Sequence, residues 1–425
     1  MNDQDRLLNT PVSAEPIGFR DFLGLKETVF SFFLLAGMFK GVPGLEGFPV
    51  DLTVVSAVAS FGFVVHSFFR KKERRFGLLL LLLGFFLAFV PTLLWTHWHE
   101  YAVEKASRFY TLTLLGVVAP LYLVRTRKEL RRFLCAFSLL SAVATIGALI
   151  SLLTVGKDVE RLLALSASTI SLARAVGVVF LFVTVWYSRS TTKYHILIIT
   201  LIPLILLIAA GERGPIVATG VAFVVTYLLF RRKSWSGLAR TVLLMLAFTE
   251  IFRFSVPWIP QTSLFRVGTF VGGELGESEL ERVDYFRFSI PKIPEQPWGV
   301  GLGGFADLYG ASSSADRVFP HNIFLETFLE GGWLAGLYLA LLSWRAVRGS
   351  YLLALKQCGF PEFQFLFCLF LFYFANEQVS GELNDSKVFF ALISLCIGLG
   401  AETYEEAKSR ASQFRAPALR SAHIP

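Results

Sequence analysis

The chain has 425 residues, of which 54% are hydrophobic and 17% charged, and its mean hydropathy is +0.58. Soluble domains carry about 25% charged residues, so this composition leaves too little polar surface to cover a water-soluble globule. It excludes a disordered chain, a coiled coil and almost any soluble enzyme, and it indicates a polytopic membrane protein. The net charge is +8, but the basic residues lie between apolar segments, so they do not indicate a nucleic-acid partner.

Twelve apolar segments are candidates for transmembrane helices, because about 20 apolar residues cross a hydrocarbon layer of about 30 Å. They lie at 28–40, 52–69, 76–95, 110–124, 133–155, 170–187, 194–210, 215–230, 238–252, 322–347, 361–375 and 387–401. The first is short, and the polar residues before it contain no cleavable signal pattern, so we expect an uncleaved anchor. The sequence thus predicts an all-α fold of about 12 transmembrane helices.

Basic residues follow every even-numbered span. The clearest runs are 70–75 after span 2 and 125–132 after span 4, and the second run carries five basic residues. Cytoplasmic loops hold the excess of Lys and Arg, so we expect both termini in the cytoplasm. The long connection after span 9 then faces outward, and a connection of that length is uncommon unless it is functional.

The predicted topology divides the chain into five parts. They are a cytoplasmic N-terminal segment (1–27), spans 1–9 (28–252), an extracytoplasmic loop (253–320), spans 10–12 (321–401) and a basic cytoplasmic tail (402–425). Most of the candidate functional residues fall in or next to the extracytoplasmic loop.

The stretch 320–332 starts at the outer surface and continues into span 10. Asn322, Glu326 and Glu330 are four apart, so they form one stripe on a helix. Ionisable groups inside a membrane cost about 2.5–3.5 kcal/mol each, and they normally face the bundle interior and have partners. His321 lies at the helix start, where the positive end of the dipole favours the neutral imidazole that a general base requires. Alternatively, His321 and Asn322 only cap the helix.

Four arginines are predicted on the outer side: Arg161, Arg174, Arg213 and Arg282. Arg213 lies in a tight, glycine-flanked turn between spans 7 and 8, where a fixed guanidinium suits bidentate binding of a phosphate or diphosphate. The alternative for Arg213 is an interfacial arginine whose side chain extends to the surface. Arg282 lies in a charged part of the outer loop, and the alternative there is a solvated helix face.

Two further motifs do not indicate a cofactor or a metal. The segment 299–304 matches G-x-G-x-x-G, but no βαβ unit surrounds it, so we interpret it as a flexible loop beneath a substrate. His97 and His99 resemble a metal-binding pair without a third ligand, and the four cysteines have no metal-ligand spacing. We therefore predict no cofactor and no metal site.

Three stretches together match the motifs of one family. The pattern His-Asn-x-x-Leu-Glu-x-x-x-Glu-x-Gly-x-x-x-Gly begins at His321, and Arg282 is followed fifteen residues later by Pro-x-Gly-x-Gly-x-Gly beginning at Pro297. An Arg-Gly pair at Arg213 follows an apolar span, with Glu212 in place of the family's small polar residue. In these stretches the chain resembles the O-antigen ligase and polymerase family of bacterial envelope glycosyltransferases.

The resemblance implies a GT-C-like enzyme of the bacterial inner membrane with an active site facing the periplasm. Such an enzyme takes a glycan from undecaprenyl diphosphate and transfers it to a sugar hydroxyl. Arg213 and Arg282 would bind the diphosphate, and His321 would be the general base. We expect a further set to contribute to substrate binding: Asn322, Glu326, Glu330, Arg161, Gly299 and Gly301. No acidic pair accompanies the arginines, so a metal-independent mechanism with inversion is the natural hypothesis.

Several functions remain open at this point. In a ligase the acceptor is lipid A–core oligosaccharide, and in a polymerase it is another carrier-linked repeat unit; twelve spans and a single outer loop favour the ligase. A secondary transporter would place polar groups near the membrane midplane, often within paired repeats, and the sequence has neither feature. A structural scaffold would lose no activity when His321 or Arg213 is changed.

Overall fold

A computed structural model describes most of the chain as helices joined by loops. The described part comprises residues 24–41, 51–70, 76–155, 168–186, 193–230, 276–310, 317–357 and 359–401, and it contains no strand. The predicted all-α fold is therefore confirmed for these residues.

Fourteen helices are numbered here in chain order. They are α1 (Leu25–Leu35), α2 (Leu52–Arg70), α3 (Phe76–Phe89), α4 (Glu100–Arg108), α5 (Leu114–Leu123), α6 (Arg127–Val155), α7 (Thr169–Leu181), α8 (Lys193–Ala209), α9 (Arg213–Phe230), α10 (Glu277–Glu295), α11 (Gly304–Tyr309), α12 (Ile323–Lys356), α13 (Pro361–Ser380) and α14 (Lys387–Ala401). A π-helical turn, Phe109–Thr113, joins α4 to α5, so that the two form one continuous helical span.

The apolar helices agree with a polytopic membrane protein. Within the described residues, seven helices are long and apolar enough to cross a membrane, and Ile199–Ala209 and Lys387–Ala401 are shorter apolar helices. Every predicted span coincides with a helix except 238–252, which lies outside the described residues. The count of twelve spans, the GT-C-like arrangement and the orientation stay predictions.

Helix α2 has the residue distribution of a lipid-facing helix. Its small polar residues Ser56 and Ser60 are buried, whereas Val58 and Phe61 are 66% and 58% exposed. In water this distribution would be reversed, but in a bilayer apolar side chains face lipid and small residues let helices approach closely. The Ser56 hydroxyl is satisfied within its own helix by the carbonyl of Leu52 at 2.7 Å.

The interior of the bundle is rich in aromatic residues. Phe85, Phe89 and Phe109 are fully buried, and their rings meet edge to face, with the centroids of Phe89 and Phe109 5.0 Å apart. Edge-to-face pairs contribute about 0.5–1.5 kcal/mol beyond the area that they bury. This cluster packs α3 and the α4–α5 span against each other beside α12.

The predicted outer loop is partly helical, because 276–310 forms α10 and α11. Helix α10 packs against α12, which was predicted as one continuous helix but is broken at Gly332, where φ is 73° and ψ is −173°. At one end of the bundle the starts of α9 and α12 meet the end of α13. An added Cβ on Gly214 would lie 3.0 Å from Cγ2 of Val379, and the Asn322 amide donates to the carbonyl of Gln378 at 3.1 Å. The predicted site residues lie at this end.

Candidate active site

Arg213 is the first residue of α9 and lies against α10. Its Nη1 is 3.3 Å from Oε1 of Glu279, in the first turn of α10, and the arginine side chain is 12% exposed. The preceding carboxylate, Glu212, accepts a hydrogen bond from the Thr169 hydroxyl at 2.5 Å and is thereby tied to α7. The Arg213 guanidinium is therefore held beside the helix that carries Arg282.

Arg282 follows Glu279 by three residues on α10, so both side chains project from the same face of that helix. The Nε of Arg282 is buried and has no hydrogen-bond partner. A buried donor left unpaired costs about 1–3 kcal/mol, and more when the group is charged. An anion bound beside α10 would satisfy this donor.

His321 lies directly before α12 and packs between two aromatic rings. Its ring centroid is 4.2 Å from that of Phe319 and 6.0 Å from that of Tyr285, on α10. Among the described residues it is the one non-glycine residue with positive φ, at 55°, and its carbonyl accepts a hydrogen bond from the Gly381 amide at 3.3 Å. Such a conformation is uncommon for a side-chain-bearing residue and is found at constrained functional positions.

The environment of His321 favours its neutral form. Burial and, to a smaller extent, the positive charge of Arg282 lower the pKa of the imidazole to about 4, against the opposing effect of Glu281. A pKa of about 4 leaves the ring neutral near pH 7, as a proton acceptor must be. Arg282 and His321 are therefore coupled electrostatically, although they lie 39 positions apart in the chain.

Tyr285 also belongs to this site, and sequence reasoning missed it. It is buried on α10, its ring stacks on His321 with an interplanar angle of 28°, and its hydroxyl donates to Glu281 at 2.5 Å. Burial raises the pKa of the phenol, and the hydrogen bond to Glu281 raises it further. Tyr285 follows Arg282 by three residues, and this helical spacing was the signal that both share one face of α10.

Asn322 caps α12, as the alternative interpretation expected. Its Oδ1 accepts hydrogen bonds from the amides of Phe324 and Leu325 at 3.0 and 3.1 Å, and its Nδ2 donates to Gln378. An asparagine at this position satisfies two of the four free amides at the start of a helix. Its predicted role in substrate binding stays a prediction, and both ends of the side chain are engaged within the protein.

Glu326 and Glu330 are fully buried and share one cation. The Nζ of Lys105, on α4, is 2.5 Å from Oε1 of Glu326 and 2.7 Å from Oε1 of Glu330, and all three side chains are 0% exposed. The sequence predicted that these carboxylates face the bundle interior and have partners, but it did not identify Lys105. Lys105 lay outside the predicted fourth span, which began at residue 110, so hydropathy offered no signal that this lysine is buried.

Gly299 and Gly301 do not form the open, flexible loop that we expected. They have φ of 79° and 92°, and an added Cβ on Gly299 would lie 2.5 Å from the Glu330 carbonyl oxygen and 2.5 Å from the Gly332 amide nitrogen. The break in α12 frees two carbonyls, and the amides of Val300 and Gly301 donate to those of Leu329 and Glu330 at 2.8 and 3.0 Å. The glycines let this loop pack directly against the backbone of α12, and their predicted contact with substrate stays a prediction.

The two remaining arginine predictions differ in outcome. Arg161 lies outside the described residues. Arg174, on α7, donates from Nη2 to the carbonyl and to the hydroxyl of Ser380 at 3.1 and 2.9 Å. Arg174 is therefore located at the end of α13, next to Gly381, whose amide donates to the His321 carbonyl.

His97 and His99 flank a carboxylate that the sequence did not place with them. Oδ2 of Asp307 is 3.2 Å from Nδ1 of His97 and 3.6 Å from Nε2 of His99, and His99 also caps α4 by accepting from the Ala102 amide. Within the described ranges, no group of three or more His, Cys, Asp or Glu residues could hold a metal ion.

The fold and the site together define a class of protein: a polytopic helical membrane protein in which one helix, α10, carries Arg282, contacts Arg213 through Glu279 and stacks Tyr285 on His321. Residues 197–340 match the family model described as O-antigen ligase, which confirms the resemblance predicted from the sequence. The matched part runs from α8 into α12 and includes Arg213, Arg282 and His321. A search of curated proteins found no match. The family match supports a ligase- or polymerase-type glycosyltransferase of envelope glycan biosynthesis.

Proposed function

We propose that this protein is a ligase-type glycosyltransferase of the bacterial inner membrane. It transfers a glycan from undecaprenyl diphosphate to a hydroxyl of lipid A–core oligosaccharide, at a site that faces the periplasm. The observation that carries the proposal is the arrangement of α10, which contacts Arg213 through Glu279, carries Arg282 and stacks Tyr285 on His321. The family match at 197–340 supports the reaction class.

The two arginines would bind the diphosphate of the donor. A guanidinium offers paired N–H donors that match phosphate oxygens, and Arg282 has a buried donor without a partner. The leaving group gains negative charge as the glycosidic bond breaks, so preorganised cations stabilise the transition state more than the bound donor. Arg213 would exchange its contact with Glu279, whose side chain is partly exposed, for a phosphate oxygen.

His321 would act as the general base. Its neutral imidazole accepts the proton of the acceptor hydroxyl while the hydroxyl oxygen attacks the anomeric carbon of the donor glycan. The bond between that carbon and the diphosphate oxygen breaks, its electron pair leaves with undecaprenyl diphosphate, and the configuration inverts. General-base catalysis of this kind contributes about 10²–10⁴-fold. The positive charge of Arg282 opposes protonation of the ring before the acceptor arrives.

The remaining residues of the motif would hold these groups in place. Asn322 caps the helix that follows His321, Glu326 and Glu330 join this helix to α4, and the glycine loop (299–304) joins it to α10. A repeat-unit polymerase would use the same chemistry with a carrier-linked acceptor. The product decides between the two, since loss of a ligase leaves carrier-linked polymer unattached, whereas loss of a polymerase leaves single capped repeats.

The test is transfer in a reconstituted system that contains the purified protein, undecaprenyl diphosphate-linked glycan and lipid A–core. We expect His321→Ala and Arg213→Ala to abolish transfer while the protein still inserts into membranes. Arg282→Lys keeps the positive charge but loses the planar guanidinium with its paired N–H donors, so it should also lower the transfer rate. Arg287→Ala is the matched control, because Arg287 lies on α10 but is exposed.

Two results would count against these roles. Near-normal transfer by the His321 or the Arg213 variant would remove that residue from the mechanism. Equal losses in Arg282→Lys and in the Arg287 control would show that the assay reports damage to α10 rather than binding of a diphosphate.

A further inference from the structure

Lys105 is a fully buried lysine on a membrane-spanning helix, and no motif includes it. The predicted fourth span began at residue 110, but the helix starts ten residues earlier, at Glu100. The Nζ of Lys105 contacts two buried carboxylates, Glu326 and Glu330, which occupy successive turns of α12. A charge in this position is expensive unless it is well paired, so its presence calls for a reason beyond filling space.

The first carboxylate, Glu326, is linked to the backbone of His321 through one short segment. Segment 381–386, the connector between α13 and α14, passes beside the start of α12. The second oxygen of Glu326 accepts a hydrogen bond from the Leu383 amide at 3.0 Å, and the Gly381 amide donates to the His321 carbonyl at 3.3 Å. The Lys105–Glu326 pair therefore fixes the connector that contacts the backbone of His321.

The second carboxylate, Glu330, is linked to α10 through the glycine loop. Glu330 lies at the break in α12, where its backbone carbonyl accepts from the amide of Gly301 at 3.0 Å. The glycine loop follows directly from the end of α10, which carries Arg282. The Lys105–Glu330 pair thus lies where α12 and the glycine loop are joined.

Helix α4 makes a further contact with the connector. Tyr101, one turn before Lys105, donates its hydroxyl to Oε1 of Glu382 at 3.0 Å, and both side chains are buried. Residues four apart on a helix share a face, so Tyr101 and Lys105 hold the connector and α12 from one side.

We propose that Lys105 is a positioning residue for the transfer reaction. Through Glu326 it holds the connector that contacts His321, and through Glu330 it holds the join to the helix that carries Arg282. This inference rests on the proposed function, since it assigns His321 and Arg282 as the groups being positioned. Lys105 itself touches neither donor nor acceptor.

The experiment compares Lys105→Met with the wild type in the reconstituted transfer assay, using the folded fraction isolated by size exclusion. Displacing a catalytic group by about 1 Å lowers a rate about 100-fold, so we expect kcat to fall about 100-fold with little change in KM for the donor. Hydrogen exchange of the 376–386 peptide, followed by mass spectrometry, should become faster, because the Leu383 amide loses its fixed acceptor.

A second variant separates positioning from folding. Lys105→Met alone leaves two buried carboxylates without a cation, which can prevent folding, whereas Lys105→Met/Glu326→Gln/Glu330→Gln leaves no buried charge in the cluster. We expect this neutral variant to regain thermal stability but to keep the low kcat and the fast exchange at 376–386. Lys292→Met is the control, because Lys292 pairs with Glu295 at the surface and should keep the wild-type kcat.

Wild-type kcat in the folded neutral variant would overturn the proposal, and so would a low kcat with unchanged exchange at 376–386. His321→Ala distinguishes this failure from failure of the proposed function. If His321→Ala is active, the assignment of the base is wrong, while the exchange measurement still reports whether Lys105 holds the connector. If His321→Ala is inactive and the folded Lys105 variants are fully active, the positioning role alone is wrong.

Discussion

The substitution Gly299→Ala tests whether the glycine loop is built into α12. At Gly299 φ is 79°, and a left-handed conformation costs about 1–2 kcal/mol in a residue with a Cβ. The new Cβ would lie 2.5 Å from the Glu330 carbonyl oxygen and 2.5 Å from the Gly332 amide nitrogen. Both atoms are backbone on the two sides of the break in α12, so neither can rotate away. Overpacking of this kind costs about 1–3 kcal/mol, which gives a total of about 2–5 kcal/mol.

Gly310→Ala is a matched control for this change. Gly310 has nearly the same φ, 83°, but an added Cβ there would have no atom within 4 Å. The control should therefore cost only the conformational part, about 1–2 kcal/mol. The difference between the two variants isolates the steric contact between the loop and α12.

The assay is unfolding of the purified protein in mixed micelles with increasing sodium dodecyl sulfate, followed by circular dichroism. Gly299→Ala should shift the midpoint to lower denaturant than Gly310→Ala does. Equal shifts for the two variants would refute the packing of the loop against the break, and the glycines would then be explained only by their backbone conformation.

Two further predictions concern the start of α12. In the proposed mechanism His321 reacts as the neutral imidazole, and its pKa is lowered to about 4, so kcat/KM for transfer should stay constant from about pH 7 to pH 5 and fall as the pH approaches 4. A fall centred near the ordinary histidine pKa of about 6.5 would contradict the burial and the charge effect of Arg282. Asn322→Ala removes two hydrogen bonds to helix amides and should lower the free energy of unfolding by about 1 kcal/mol, whereas Asn322→Asp keeps the cap and should cost less. Equal losses in the two Asn322 variants would show that the amide contact to Gln378, rather than the cap, is the stabilising one.

The sequence was sufficient to predict the apolar helices and the residues with family motifs. Hydropathy depends on the composition of a local window, so spans such as 52–69 and 133–155 coincide with α2 and α6. The motif spacing identified Arg213, Arg282 and His321, and the structure places all three around α10. Their roles stay predictions, but their proximity follows from contacts that no local pattern contains.

Sequence reasoning missed the features that depend on distant partners. Lys105 lies in a segment, 100–108, that carries four charged residues, so hydropathy placed the start of the fourth span at residue 110. Its carboxylate partner Glu330 is 225 positions away. Helix α10 was predicted only as part of the extracytoplasmic loop, a connection rich in Gly, Pro, aromatic and charged residues. The helix contains Pro291 and Pro294 and is charged in its first half. Proline has no backbone N–H, so each proline removes one hydrogen-bond donor from the last turns of α10. The helix still forms, because it is stabilised by packing on α11 and α12.

The motif at the start of α12 separates into two parts with different physical roles. Asn322, Glu326 and Glu330 repeat every four residues, so they occupy one face, and each is paired within the protein. His321 precedes the helix with φ of 55°, which turns its ring away from that regular stripe and toward Tyr285 on α10. The four-residue repeat thus identifies the supporting residues, and His321, which lies outside the repeat, is the residue that we propose as the general base. A rigid support of buried pairs is what a general base requires if its distance from an incoming hydroxyl is to be fixed before the acceptor binds.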